Sequence, residues 1–216
     1  SSAASDVYKR QDEFIFMDSV ASLYERNNLS EIISKTSECI FVPITVGGGI
    51  RSIQDATTIF NSGADKVAIN TAGIKNPSLI TELATKFGSQ SVVLSVEAKK
   101  NDIQSWQCFI DNGRERTNLN VIEWCKKAVD LGAGEILLTS VDQEGTQKGF
   151  DIDLIEKVCT AVSVPVLASG GMGDLNHVKE LISKTDVSGI VIASSLHYGK
   201  YSVPDIRHFC LSNNIN

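Results

Sequence analysis

The 216-residue chain is 42% hydrophobic and 21% charged, with 16 Gly and 4 Pro, which is ordinary globular material and excludes collagenous and low-complexity chains. A formal net charge of −6 argues against a nucleic-acid partner but leaves room for small anions held by local donors, and no apolar run approaches the length of a membrane span. Cys39, Cys108, Cys125, Cys159 and Cys210 are scattered without a CxxC pair, the pattern of reduced cytosolic thiols in a cytoplasmic protein, with no disulfide frame, metal site or cofactor implied.

Ser1 to Gln11 is polar and patternless and does not read as the start of a domain. Glu13 to Met17 predicts a short strand ending at Asp18. Asn28 to Thr36 predicts a helix, with Ser30 as cap and Glu31 in the first turn. Val42-Pro43-Ile44-Thr45-Val46-Gly47-Gly48-Gly49-Ile50 is an apolar strand running into glycines before a helix from Ser52 to Ser62. That arrangement presents backbone N–H groups to a phosphate. Lys66 to Ile69 predicts a strand ending at Asn70-Thr71, and Pro77 suits the first turn of the next helix. A strand follows over Ser91 to Val96, ending at Glu97.

Ser105 to Asn112 reads as an extra hairpin arm and Val121 to Leu131 as a helix. Glu135 to Thr139 predicts a strand and Ile152 to Val162 a helix. Val164-Pro165-Val166-Leu167-Ala168-Ser169-Gly170-Gly171-Met172 repeats the glycine strand 122 residues after its first copy. Helices over Leu175 to Ile182 and Val203 to Cys210 flank a last strand, Gly189 to Ile192, ending at Ala193-Ser194. Alternating strands and helices mean βαβ units and a parallel sheet.

The 122-residue offset also lays Glu13–Asp18 on Glu135–Ser140, and Asn70-Thr71 on Ala193-Ser194 after a one-residue slip. Self-similarity of this length makes the chain two copies of one strand–helix–strand–helix block. Two equal halves of a parallel array predict an α/β (β/α)8 TIM barrel made of two half-barrel repeats. The partner of the Glu97 strand would lie ahead of Ser1, so the first strand and helix are expected to be missing from the sequence as written. On this reading 1–11 is a foreign, mistranslated or disordered leader, and 12–216 a single barrel domain lacking its first βα unit.

Ligands of such barrels sit at the C-terminal ends of the strands. Gly48-Gly49 with Asn70-Thr71, and Ser169-Gly170-Gly171 with Ala193-Ser194, make two phosphate sites for an elongated substrate; four plain βα turns are the alternative. Glu97, ending an apolar strand, is the candidate acid/base, because partial burial raises a carboxyl pKa. Pairing with Lys99 or Lys100 would give it a purely structural role instead. Asp18, Thr139, Ser140, Asp142 and Glu144 are candidate contacts to substrate hydroxyls, with a solvated acidic loop the alternative for Asp142 and Glu144. His197, a lone histidine after the last strand, reads as structural. At the opposite strand ends, Glu13, Asp65-Lys66 and Glu135 either form ordinary salt bridges or a polar ring that admits a small molecule or docks a partner.

The strings VPITVGGGIRS, GADKVAINTA, FGSQSVV, LGAGEILLTSVDQEGT, GFDIDLI, VPVLASGGMG and ASSLHY closely resemble the cyclase subunit of imidazole glycerol phosphate synthase, from about Asp12 to the C-terminus. The resemblance implies a lyase that joins ammonia to a bis-phosphorylated imidazole-carboxamide ribulosyl substrate. Its products would be imidazole glycerol phosphate and an aminoimidazole carboxamide ribotide. It further implies a glutaminase subunit docked at the N-terminal face as the ammonia source. By position, one phosphate falls to Gly49, Asn70 and Thr71 and the other to Gly145, Gly171 and Ser194. Glu13, Lys66 and Glu135 fall on gate positions, and Asp65 on a contact to the glutaminase.

Two departures stand out. The family's first catalytic aspartate has no counterpart in this sequence, and Glu97 stands where the family has its second; Glu144 also replaces an Asp. These changes suit a paralogue that conducts ammonia for sugar amidation in surface-glycan biosynthesis. A third reading is the sibling barrel isomerase, which shares paired phosphate sites; KVAINT, EILLTS and the gate residues favour the cyclase.

Overall fold

A computed structural model describes residues 12–18, 29–101 and 105–215; the leader 1–11 and Asn28 lie outside them. Contacts divide the chain into two units, Ser1–Leu94 with Leu131–Gly134, and Ser95–Asp130 with Glu135–Asn216. Each is a parallel βα array of the kind that builds an α/β TIM barrel.

In the first unit the strands are β1 (Phe14–Met17), β2 (Ile44–Gly47), β3 (Lys66–Ile69) and the start of β4 (Val92–Lys100). They pair in that order, parallel throughout. All four residues of β2 are buried, as are Val67 to Ile69 of β3, because a parallel sheet covered by helices is dry on both faces. The helices are α1 (Leu29–Ser37), α2 (Ile53–Asn61), α3 (Thr71–Lys75) and α4 (Ser78–Phe87). They contribute Ile33, Ala56, Ile59, Leu79, Ile80 and Leu83 to the core. Pro77 is the residue before α4, where its fixed φ and missing N–H are harmless. Ser30 lies inside α1 and not at its cap, while Glu31 does sit in the first turn and pairs with Lys35 at 2.7 Å.

In the second unit β4 lies beside β7 (Glu135–Ser140), followed by β8 (Val166–Ser169) and β9 (Gly189–Val191). The helices are α5 (Val121–Asp130), α6 (Ile152–Ala161), α7 (Leu175–Lys184), α8 (Ser194–His197) and α9 (Val203–Ser212). The strand expected to stop before Glu97 runs on to Lys100. It does so because β5 (Trp106–Ile110) pairs antiparallel with its second half, Glu97 opposite Phe109 and Lys100 opposite Trp106. β6 (Glu115–Asn120) then pairs with β5, so the hairpin arm is longer than Ser105–Asn112. Trp106, Cys108 and Ile110 are buried at period two while their neighbours are half-exposed, the signature of a one-faced antiparallel strand.

The repeat holds at the level of hydrogen bonds. Phe14 pairs with Ile44, and Ile136 with Val166, both pairs related by 122 residues. Phe14 N–H donates to the Pro43 carbonyl and Ile136 N–H to that of Pro165, each at 2.9 Å. Ser52 caps α2 and Asp174 caps α7, again one offset apart. At the next strand the offset becomes 123: Thr45 pairs with Lys66 but Leu167 with Gly189. The extra residue lies in the stretch that includes α7, ten residues long against nine in α2. The short helices α3 and α8, which the sequence read only as strand ends, begin after residues of like backbone, Asn70 (φ −122, ψ −85) and Ala193 (φ −122, ψ −67).

Two expectations follow. Gly48 has φ +100, and a Cβ there would lie 2.2 Å from the Asp18 carbonyl oxygen. Gly48→Ala should therefore cost more than about 2 kcal/mol in urea unfolding, and Gly145→Ala, with open space around it, about 1 kcal/mol. Burial pushes the Cys108 thiol up to about 12 and that of Cys125 higher still. A disulfide reagent at about pH 8 should leave both unmodified until denaturant is added, while exposed Cys39 reacts in the native state.

Candidate functional site

In the first unit the ends of β2 and β3 lie side by side, with Gly47 opposite Ala68. Asp18 closes β1 by donating its N–H to the Gly47 carbonyl at 2.9 Å. The chain then turns through Gly48 and Gly49, both at positive φ, into α2. Ser52 Oγ accepts from Asp55 N–H at 3.2 Å, and Asp55 Oδ2 accepts from Arg51 N–H at 2.9 Å. Beside this turn Asn70 and half-buried Thr71 open α3, where Ile74 N–H donates back to the Asn70 carbonyl at 3.0 Å. The expected glycine end and hydroxyl end are thus neighbours, each leading into the N-terminus of a helix.

The second unit repeats the arrangement with more bracing. Thr139 pairs with Ser169 and Ser169 with Val191, so Gly170-Gly171 lies between the ends of β7 and β9. The Gly171 carbonyl accepts from Gly149 N–H at 2.8 Å, and a Cβ on Gly171 would lie 2.0 Å from the Gly149 carbonyl oxygen. Only a bare α-carbon fits there. The loop after β7 coils onto Ser140, whose carbonyl accepts from Gln143 N–H (3.2 Å) and Glu144 N–H (2.9 Å). Ser140 Oγ is buried and has no hydrogen-bond partner among the described residues, a costly state for a hydroxyl. Gly145 is exposed at the loop's tip. Asp142 Oδ2 accepts from Lys100 N–H at 2.7 Å, so this carboxylate also fastens the end of β4. Glu144 is exposed and approaches the bare face of Gly170.

Glu97 is half-buried near the middle of β4 and does not end it. Its Oε2 accepts from Gly113 N–H at 2.8 Å, at the tip of the β5–β6 hairpin where Asp111, Asn112 and Gly113 all have positive φ. Lys99 and Lys100 lie over the rings of Phe109 and Trp106. The hairpin is tied down at its other end by Trp106 Nε1, which donates to Asp151 Oδ2 at 2.8 Å. Asp151 Oδ1 in turn caps α6.

At the starts of the first unit's strands, Glu13 Oε2 pairs with Lys66 Nζ at 2.9 Å and its Oε1 accepts from Thr45 Oγ1 at 2.5 Å. These two charged side chains are only 20% and 21% exposed. Solvent therefore screens them less than the Glu31–Lys35 pair, at 67% and 72%. Asp65 Oδ2 accepts from Ile44 N–H at 2.8 Å, holding the entry to β2. In the second unit Glu135 is buried at the start of β7. His197 stacks edge-on against Tyr198 at 5.2 Å.

Four residues around the second glycine loop were not singled out by the sequence: His177, Ser195, Lys200 and Tyr201. His177 Nδ1 accepts from Gly173 N–H and Asp174 N–H, both at 3.2 Å. The offset places it on Asp55, which does the same for Arg51, and that correspondence is the signal that could have found it. Among the described residues no helix is long and apolar enough to cross a membrane.

Residues 3–202 match the family described as Histidine biosynthesis protein. The chain is 60% identical over 164 residues to the imidazole glycerol phosphate synthase subunit HisF of Legionella pneumophila, covering 76% of this chain and 77% of that one. It is 43% identical over 212 residues to the subunit of the same name from a Hydrogenobaculum species, covering 97% and 84%. Against that of Lactococcus lactis subsp. cremoris the identity is 44% over 212 residues, covering 97% and 82%. With matches of this extent and a doubled glycine-ended strand, the chain belongs to the histidine biosynthesis protein family.

Proposed function

We propose that this chain is the cyclase subunit, a lyase, of imidazole glycerol phosphate synthase, working in the cytoplasm. The observation that carries the reading is the match to subunits of that synthase over up to 97% of the chain. The doubled glycine end supports it, since a substrate with two phosphates needs two such cradles. In the first unit Gly48, Gly49, Asn70 and Thr71 would take one phosphate. In the second, Gly145, Ser169, Gly170, Gly171, Ala193 and Ser194 would take the other. Backbone amides at helix starts suit this work because they are fixed donors that need no charge of their own.

Between phosphate capture and product, ammonia condenses with the ribulosyl carbonyl and water leaves, the bond to the ribotide breaks with the ribotide's amine taking a proton, and the imidazole closes. These steps move protons, which calls for an acid/base group at the reacting centre. Glu97 is the candidate, and the Gly113 N–H at 2.8 Å supports the role by fixing its reach. Asp18, Thr139, Ser140, Asp142 and Glu144 would contact the substrate. Ammonia would come from a glutaminase subunit in a heterodimer. Glu13, Lys66 and Glu135 would gate its entry, and Asp65 would meet the partner. The sugar-amidation paralogue finds no support among the relatives, which are named as synthase subunits.

The test is turnover of the bis-phosphate substrate with ammonium salts in place of the partner; formation of imidazole glycerol phosphate is expected. Absent turnover with glutaminase binding intact would point to the paralogue. Glu97→Gln keeps an oxygen for Gly113 while removing the charge. It should lower turnover by about 10²-fold or more with substrate affinity within about threefold. Undiminished turnover would take Glu97 out of the mechanism.

A further inference from the structure

The loop leaving β8 is held from one side, at its consecutive residues Met172, Gly173 and Asp174, by the segment that follows β9. Ser195, fully buried, donates its Oγ to the Met172 carbonyl at 2.7 Å. Lys200 Nζ donates to the Gly173 carbonyl. Tyr201 hydroxyl donates to Asp174 Oδ2 at 3.2 Å. The Ser195 carbonyl delivers the other two by accepting from Lys200 N–H (3.0 Å) and Tyr201 N–H (3.4 Å). His177 Nδ1 holds the amides of the same two peptide planes from the helix side. Since C=O and N–H of a trans peptide point opposite ways, the planes 172–173 and 173–174 are each pinned at both ends.

The first half of the molecule provides an internal control. Moved back by the 123-residue offset, Ser195, Lys200 and Tyr201 fall on Ala72, Pro77 and Ser78. Ala72 and Pro77 have no side-chain donor, and Ser78 spends its hydroxyl on Asn76 (2.8 Å) and Glu82 (3.0 Å). Among the described residues, these three positions of the first unit hold no such strap.

We propose that Lys200 and Tyr201 are positioning residues that hold the Gly170–Asp174 loop in its anion-binding shape and so set the affinity for one of the substrate's two phosphates. This rests on the reading of the chain as a bis-phosphate cyclase. Gly170, Gly171 and Gly173 give the loop wide backbone freedom, and any freedom left in the unbound state is lost on binding and subtracts from affinity. The strap removes that freedom beforehand. Its hydrogen bonds go to Met172, Gly173 and Asp174, so it acts on capture and not on the chemical step.

The experiment compares the protein with its Lys200→Met, Tyr201→Phe and Lys200→Arg variants. Steady-state turnover is measured with ammonium salts, and the bis-phosphate substrate is titrated calorimetrically. Lys200→Met should raise KM and the dissociation constant about tenfold or more with kcat within about threefold, and Lys200→Arg, which still donates to the Gly173 carbonyl, should restore most of the loss. Tyr201→Phe removes one oxygen and leaves the fold intact, so it carries the test if Lys200→Met unfolds. Unchanged KM in the variants overturns the strap, as does a fall in kcat alone that Lys200→Arg fails to repair. If the unmodified protein neither binds nor turns over the bis-phosphate, the cyclase reading itself fails, and the strap with it.

Discussion

The structure depends on how closely a strand end approaches the backbone of its neighbour. Where β2 leaves the sheet, the Gly48 α-carbon is so near the Asp18 carbonyl that a methyl group there would lie 2.2 Å from the oxygen. β1 and β2 can therefore end together only if that position carries no side chain. At the matching place in the other unit, a Cβ on Gly170 would lie 3.0 Å from the Ser140 carbonyl oxygen. The glycines are consequences of packing first.

The two copies of this device are braced differently among the described residues. The first loop is held by the capping carboxylate of Asp55, a bond from one helix to its own entry. The second combines a histidine cap with contacts from a distant segment, and so joins β7, β8 and the end of β9 into one framework. Glu97 sits in a third setting, on a strand lengthened by the antiparallel hairpin that its own carboxylate helps to close. A residue expected at a strand's end is therefore held from two directions.

Much of the fold was legible because the repeat converts weak local signals into one strong one. Strand and helix placements on either side of the offset agree to within a residue or two, and the slip between Asn70 and Ala193 reappears in the strand register. What escaped was what periodicity does not encode. The extension of β4 to Lys100 depends on a partner strand six residues further on, and Glu97 looks terminal until that pairing is known. α3 and α8 are too short to carry a pattern of their own. Ser195, Lys200 and Tyr201 look like surface residues until the loop they support is folded beside them. For the site, the glycine and hydroxyl ends were found by residue type, whereas Asp142 and Asp65, read as ligand or partner contacts, also hold backbone amides in place.

The one-residue difference between the copies says where this architecture tolerates change in length. Paired strand positions, helix caps and glycine turns keep a fixed spacing across both halves, while the additional residue is absorbed in the stretch from the cap of α7 to the start of β9. A helix that grows at its far end alters neither the strand before it nor the turn that starts it. Loop grafts and inserted reporters directed to that far side would therefore leave the glycine turns undisturbed. The same number of residues placed between a strand and its following helix would move every amide of the turn.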